Sequence, residues 1–142
     1  MNTFKLKIVA SDKVFFDGDC RQLVLPIADD GLYGFLANHE NMVAPVEFGE
    51  MKITDADGKV IDAFIGDGFI EFFDNVANVV CISAELPENI DKRRAQEAKE
   101  TAEEKLRQKQ SIYEYNQSMA DLSRAMERLK VKNRHEIKQI IF

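Results

Sequence analysis

Apolar and polar positions alternate in short runs over the first 86 residues. Phe4, Leu6 and Ile8 alternate with Lys5 and Lys7, which predicts a strand with one apolar and one wet face. Val14-Phe15-Phe16 runs to a break at Asp17-Gly18, and Leu23-Val24-Leu25 to a break at Pro26. Met51 and Ile53 lead into the turn cluster Asp55-Ala56-Asp57-Gly58, and Val60 to Ile65 returns, so a hairpin is expected there. A second pair is expected from Phe69 to Phe73, the turn Asp74-Asn75 and the run Val76 to Ser83. Short strands punctuated at this spacing predict a β-sandwich or barrel, not a parallel sheet.

The pattern changes at Pro87, after which the chain has neither proline nor glycine. Asn89 or Asp91 is placed to cap a helix, and Glu88 and Asp91 suit its positive end. Ala95, Ala98, Ala102 and Leu106 then recur on one helical face. Gln108-Lys109-Gln110 interrupts the stripe, and Ser111-Ile112-Tyr113-Glu114 has capping-box spacing for a second helix. Its expected inner face is Ile112, Tyr115, Met119, Leu122, Met126 and Leu129. The organisation predicted is a mainly β sandwich over residues 1–86 and an antiparallel two-helix hairpin over 87–142, α+β overall.

Composition narrows the class. Of 142 residues, 45% are apolar and 31% charged, enough for a packed core. No apolar run approaches the roughly 20 residues of a membrane span, which argues against direct membrane insertion. Met1 to Ala10 lacks the apolar block of a signal peptide, so a chain kept in the cytoplasm, or bound to a membrane complex from that side, is expected. The net charge of -6 is unevenly spread: residues 1–86 carry 6 Lys/Arg and 15 Asp/Glu, and residues 87–142 carry 13 and 10. An acidic body (-9) is thus joined to a mildly basic arm (+3). Such a chain is a poor nucleic-acid binder, because phosphate binding needs a concentrated basic face.

Candidate chemistry is sparse. Cys20 and Cys81 lie in apolar runs and read as buried free thiols. His39 and His135 lack the neighbouring ligands of a zinc site. Asp55-Ala56-Asp57-Gly58 lacks the third oxygen ligand and closing Glu of a calcium loop and reads as a hairpin turn. Gly66-Asp67-Gly68 is not followed by a helix pattern, so it reads as backbone bending within a sheet, not a phosphate loop. No catalytic constellation emerges; the residues alone point to a binding protein. The basic stretch from Lys130 to Lys138 offers a nucleic-acid adaptor as an alternative, but Val131, Ile137, Ile140 and Ile141 suit packing against protein better.

Several motifs in order resemble the epsilon subunit family of bacterial F-type ATP synthases. They begin with Lys13-Val14-Phe15-Phe16-Asp17-Gly18. A stretch resembling the family's G-E-x-G-I-L-P-x-H-A-P-L runs from Gly31 through Gly34 and His39 to Met42, with Leu32 in place of Glu and Ala37 and Asn41 in place of prolines. Phe48-Gly49-Glu50-Met51-Lys52-Ile53 and Asp67-Gly68-Phe69-Ile70-Glu71 follow. Most specific are Ala84-Glu85-Leu86-Pro87-Glu88-Asn89-Ile90-Asp91-Lys92-Arg93-Arg94-Ala95 and Leu122-Ser123-Arg124-Ala125-Met126-Glu127-Arg128-Leu129.

The resemblance implies a ten-stranded sandwich that grips the gamma stalk and rests on the c-subunit ring, on the cytoplasmic face of the cell membrane. It implies an accessory subunit without an active site, working with alpha and beta subunits and restraining ATP hydrolysis through its helices. The apolar stretch Leu32, Tyr33 and Phe35, with His39, is the implied ring or gamma interface, read here as a loop. No cofactor is implied as a requirement. ATP is implied as a regulatory ligand of some members; Glu85, Asp91, Arg94, Ala95, Arg124 and Arg128 match that nucleotide pattern, whereas Thr101 replaces a basic position.

Overall fold

The computed structural model describes residues 2–107 and 112–141, with only the backbone described over 112–115 and 137–141. The expected polar break at Gln108-Lys109-Gln110 and the capping Ser111 lie outside the described residues, as do the side chains of Ile112 and Tyr115. The chain divides into two units, Met1–Leu86 and Pro87–Phe142.

The first unit is a nine-stranded sandwich: β1 (Phe4–Val9), β2 (Val14–Ile27), β3 (Gly31–Leu36), β4 (Met42–Val46), β5 (Gly49–Asp55), β6 (Val60–Ile65), β7 (Gly68–Phe73), β8 (Val76–Cys81) and β9 (Ala84–Glu85). Strand β2 belongs to both layers. Its first half pairs with β1, which runs parallel to β8, followed outward by β7 and β4. Its second half lies between β3 on one side and β5, β6 and β9 on the other. The pair Ile27↔Val46 links β4 back to β2.

The expected break at Asp17-Gly18 does not occur, nor the one at Pro26. Asp17 and Asp19 stand opposite Lys7 and Lys5 on the wet face of β1, and Lys5 Nζ meets Asp19 Oδ1 at 2.9 Å. Opposite charges directly across a ladder support pairing and carry the strand through the acidic stretch. The register slips between Cys20 and Gln22, leaving a bulge at Arg21 where β2 passes from one layer to the other. One continuous strand therefore serves both layers, and among the described residues the first unit has nine strands where ten were expected.

The core follows strand alternation. Phe4, Leu6 and Ile8 of β1, Leu23, Leu25 and Ile27 of β2, and Met51, Ile53, Ile65, Ile70 and Phe72 opposite are all buried. Phe72 joins the layers, with ring centroids 5.3 Å from Phe4 and 6.0 Å, stacked, from Phe35. Both expected hairpins form. Asp55 Oδ1 accepts from the backbone N–H of Asp57 and Lys59, each at 2.9 Å, and Gly58 takes φ 85°. Asp74 and Asn75 both take positive φ, the geometry of a tight two-residue turn. Gly66 and Gly68 serve close backbone approach: a methyl group at Gly68 would overlap the Val80 carbonyl oxygen and come within 2.7 Å of Cys81 Cα.

In the second unit a 3-10 turn, Pro87–Asn89, precedes α1 (Lys92–Arg107) and α2 (Ile112–Ile141). Asp91 is the cap: its Oδ1 accepts from Arg94 N at 3.1 Å, and its carbonyl from Ala95 N at 2.9 Å. The helices run antiparallel, with Lys92 Nζ 3.2 Å from Glu136 Oε2. Their inner faces differ from the expected stripes. Ala95 and Ala102 are buried on α1, with Lys99 and Leu106 half-buried, while Ala98 is exposed. On α2 Ser118, Ala125 and Leu129 are buried and Leu122 is half-buried, while Met119 and Met126 are exposed. Small side chains allow close helix approach, so the seam takes alanines and a serine and turns the methionines outward.

Gly68→Ala is expected to lower stability by roughly 1–3 kcal/mol in urea unfolding, because the backbone of β8 must move. Gly34→Ala meets only the Gln22 amide at 3.8 Å and should stay within about 0.5 kcal/mol of the parent.

Candidate functional site

The segment from Gly31 to Leu36 is a strand and not a loop, and it divides its side chains between two roles. Phe35 points inward and is fully buried. It packs 4.9 Å from Tyr33 and 5.0 Å from the His39 ring, centroid to centroid. His39 Nδ1 lies 2.8 Å from the Glu40 carbonyl, an acceptor, so Nδ1 carries a proton, and Nε2 lies 2.9 Å from the Tyr33 hydroxyl. Phe35 is therefore a core residue, a correction to its expected place at an interface, while His39 is half-buried beside it. Leu32, 70% exposed, and Leu36, 57% exposed, are the apolar groups this strand offers to a partner. Tyr33 is half-buried.

The departures from the family pattern have local partners. Asn41 Oδ1 accepts from Asp74 N at 2.9 Å, and Asn38 N donates to Asn75 Oδ1 at 2.7 Å. Asn75 Nδ2 also donates to the Thr3 carbonyl at 3.1 Å. Side chains at Asn41 and Asn75 thus tie the His39 loop to the β7–β8 turn. Ala37 packs against the core.

A second surface was missed in the sequence. The outer face of the layer β4-β7-β8-β1 exposes Val43 (71%), Phe73 (60%), Phe69, Val76 and Val80. In register, Phe69 lies between Pro45 and Val80, and Phe73 stands opposite Val76. Between these rows Glu71 faces Val43 and Asn78. The available signal was that Phe69 to Phe73 and Val76 to Cys81 are apolar at successive positions, so both faces carry apolar groups; a half-wet strand needs only one.

The nucleotide-pattern residues are distributed as follows. Glu85 is half-buried in β9 of the first unit. In the second unit the Asp91 carboxylate is occupied as a cap and Ala95 is buried in the seam. Arg94 is exposed, Arg124 Nη1 lies 3.7 Å from Asp121 Oδ1, and Arg128 is half-buried. Arg94, Arg124 and Arg128 each immediately precede a seam residue: Ala95, Ala125 and Leu129. On antiparallel helices that offset brings all three to the same side of the hairpin, and Thr101, preceding Ala102, shares it.

Burial pushes the Cys20 thiol from 9.0 up to about 11, and raises Cys81 as well, so both stay protonated thiols near neutral pH. Among the described residues no group of acidic, His or Cys side chains is arranged to hold a metal ion. Among them, too, no helix is long and apolar enough to cross a membrane.

Residues 3–87 match the ATP synthase delta/epsilon chain beta-sandwich domain, and residues 88–133 match the long alpha-helix domain of the same chain. The chain belongs to the ATP synthase delta/epsilon family. Within it, the chain is similar to bacterial epsilon chains. The ATP synthase epsilon chain of Caldicellulosiruptor bescii is 39% identical over 139 residues, 96% of this chain and 100% of that one. That of Ruminiclostridium cellulolyticum is 39% identical over 134 residues, 94% and 98%. A chain in the Euglena gracilis mitochondrial ATP synthase structure (OSCP/F1/c-ring) shares the fold, with TM-score 0.76 at 22% identity over 88% of this chain and 78% of that one.

Phe35→Ala is expected to cost about 3–5 kcal/mol in denaturant unfolding. Leu32→Ala should change stability by no more than about 0.5 kcal/mol. Equal effects would show that both side chains do the same job.

Proposed function

We propose that this chain is a non-catalytic central-stalk subunit that couples rotation of a membrane ring and gamma to ATP synthesis. The observation that carries this reading is the apolar outer face formed by Val43, Phe69, Phe73, Val76 and Val80. Exposed apolar groups gathered on one sheet face mark protein interfaces, and we assign this one to gamma. The c-subunit ring is assigned to the Leu32 side of β3, with Tyr33 behind it. Alpha and beta subunits are the partners of the helices. The protein then works as a peripheral subunit on the cytoplasmic face of the cell membrane, with no active site and no required cofactor of its own.

The helices are the regulatory part of the proposal: they restrain ATP hydrolysis and respond to ATP. The seam buries Ala95, Ala102, Ser118 and Ala125 with two larger residues, Leu129 and Val131, so its gain is modest, each buried methyl-sized group contributing only about 0.8 kcal/mol. The hairpin is accordingly cheap to open. A nucleotide at ten times its dissociation constant, binding only the closed form, adds about 1.4 kcal/mol, enough to change the population ratio roughly tenfold. Arg94, Arg124 and Arg128 supply the guanidinium groups for its phosphates. The buried Val131 within the basic stretch favours protein packing over nucleic-acid binding.

Phe73→Asp should leave folding intact, because the side chain is mostly exposed, yet abolish co-purification with gamma from detergent-solubilised membranes. Unchanged co-purification would remove this face from the stalk interface. A chain ending before Glu88 should assemble normally and raise ATP hydrolysis by the complex. If hydrolysis does not change under any condition, the helices are structural instead. Arg124→Ala with Arg128→Ala should abolish ATP-induced hairpin closure, followed by fluorescence transfer between labels on α1 and α2. Persistence of closure in that variant would exclude these arginines as the nucleotide site.

A further inference from the structure

Strand β3 pairs with β2 along one edge, and among the described residues no strand lies against its other edge. Open edges are normally blunted by charge, proline, a bulge or extreme shortness. Strand β9, the opposite edge of the same layer, is two residues long and so is protected by its length. Strand β3 has none of these devices: Gly31-Leu32-Tyr33-Gly34-Phe35-Leu36 holds neither a charge nor a proline.

Its sequence is also symmetric about Gly34. Leucines stand two residues to either side, and aromatic residues one to either side. Laid antiparallel on a second copy with Gly34 at the two-fold axis, Leu32 faces Leu36 of the second copy and Tyr33 faces its Phe35. Leu32 and Leu36, on the outer face of the strand, are both exposed, so each acquires an apolar cross-strand neighbour. Both flanks are acidic, Asp29 and Asp30 before the strand and Glu40 after it, and repulsion between like residues disfavours the parallel direction. Antiparallel pairing brings Asp29 and Asp30 of one copy to His39 and Asn38 of the other; parallel pairing would set the aspartates against each other.

We propose that the unassembled chain forms a reversible two-fold dimer, edge to edge through β3, with Gly34 at the axis. Six residues a side fall far below the roughly 20–30 of a stable interface. The dimer is therefore weak, with a dissociation constant on the order of 0.1–1 mM. Each chain carries a net charge of -6, so added salt strengthens the association by screening repulsion. The inference goes beyond the stalk role, and it adds a consequence if that role holds: dimer and ring compete for Leu32.

Sedimentation equilibrium of the full chain over micromolar to millimolar concentration should show a monomer–dimer equilibrium that shifts toward dimer at higher salt. Leu32→Lys with Leu36→Lys should remain monomeric, as should Leu32→Glu with Leu36→Glu. Mixing the two variants should restore pairing as a heterodimer, since each Lys then faces a Glu. Thermal unfolding of each variant checks that the fold is kept. A nitroxide on Gly34→Cys, a position where a Cβ has room, should report one short distance across the axis. A parent chain that stays monomeric throughout overturns the proposal. Dimerisation that survives the Lys pair places the contact elsewhere and overturns it equally, and a mixture that fails to pair overturns the register. All these readings are made on the isolated chain, so their failure is distinct from failure of the stalk role, which is read in the assembled enzyme.

Discussion

The double membership of β2 is the constraint on which the rest of the sandwich depends. A strand that pairs with β1 over its first half and with β3 and β5 over its second must bend between them, and the bulge at Arg21 supplies the bend. Because side chains alternate with period two, the slip there also sets which residues point inward afterwards. Cys20 is buried before the bulge, and Leu23, Leu25 and Ile27 after it. Without the extra residue, the second half of β2 would present Gln22 and Val24 to the core. Every strand of the second layer takes its register directly or indirectly from that half.

Where one face of an element is apolar and the other wet, its residues reported the structure plainly. That holds for β1, for both hairpin turns and for the cap at Asp91. The residues misread were those whose role is decided by distant partners. Asp17 and Asp19 look like a strand end until Lys5 and Lys7 are set opposite them. Gly31 to Leu36 looks like an apolar loop until β2 lies beside it, and only then do Phe35 and Leu32 separate into core and surface. The helix stripes failed for a related reason. Methionines fit the helical period as well as Ser118 and Ala125 do, but at those positions the close seam takes the smaller residue.

The candidate sites divide along the same line. The family resemblance marked the apolar stretch around Gly34 and the helix arginines as candidates. It did not reveal that Phe35 is internal, with His39 and Tyr33 half-buried beside it, or that a second apolar surface lies on β4, β7 and β8. That surface is assembled from three strands, and its signal was spread thinly over each. Membership of the delta/epsilon family accounts for the pairing of a sandwich with long helices; the two apolar surfaces, one on each layer, are this chain's own geometry.

The parallel pair of β1 and β8 has a consequence for the order in which the protein can form. Lys5 stands opposite Val76, so β1 must wait for the last strand of its layer. Antiparallel pairing with β2 can hold β1 locally in the meantime, but the layer stays open on one side. Non-local pairing of this kind slows folding. At about 5–20 residues per second, several seconds of synthesis separate the two partners. The helical segment follows β8 in the chain and is made after it. Both β1 and β8 are therefore complete before the helices are, so the layer can close while the helical segment is still being made.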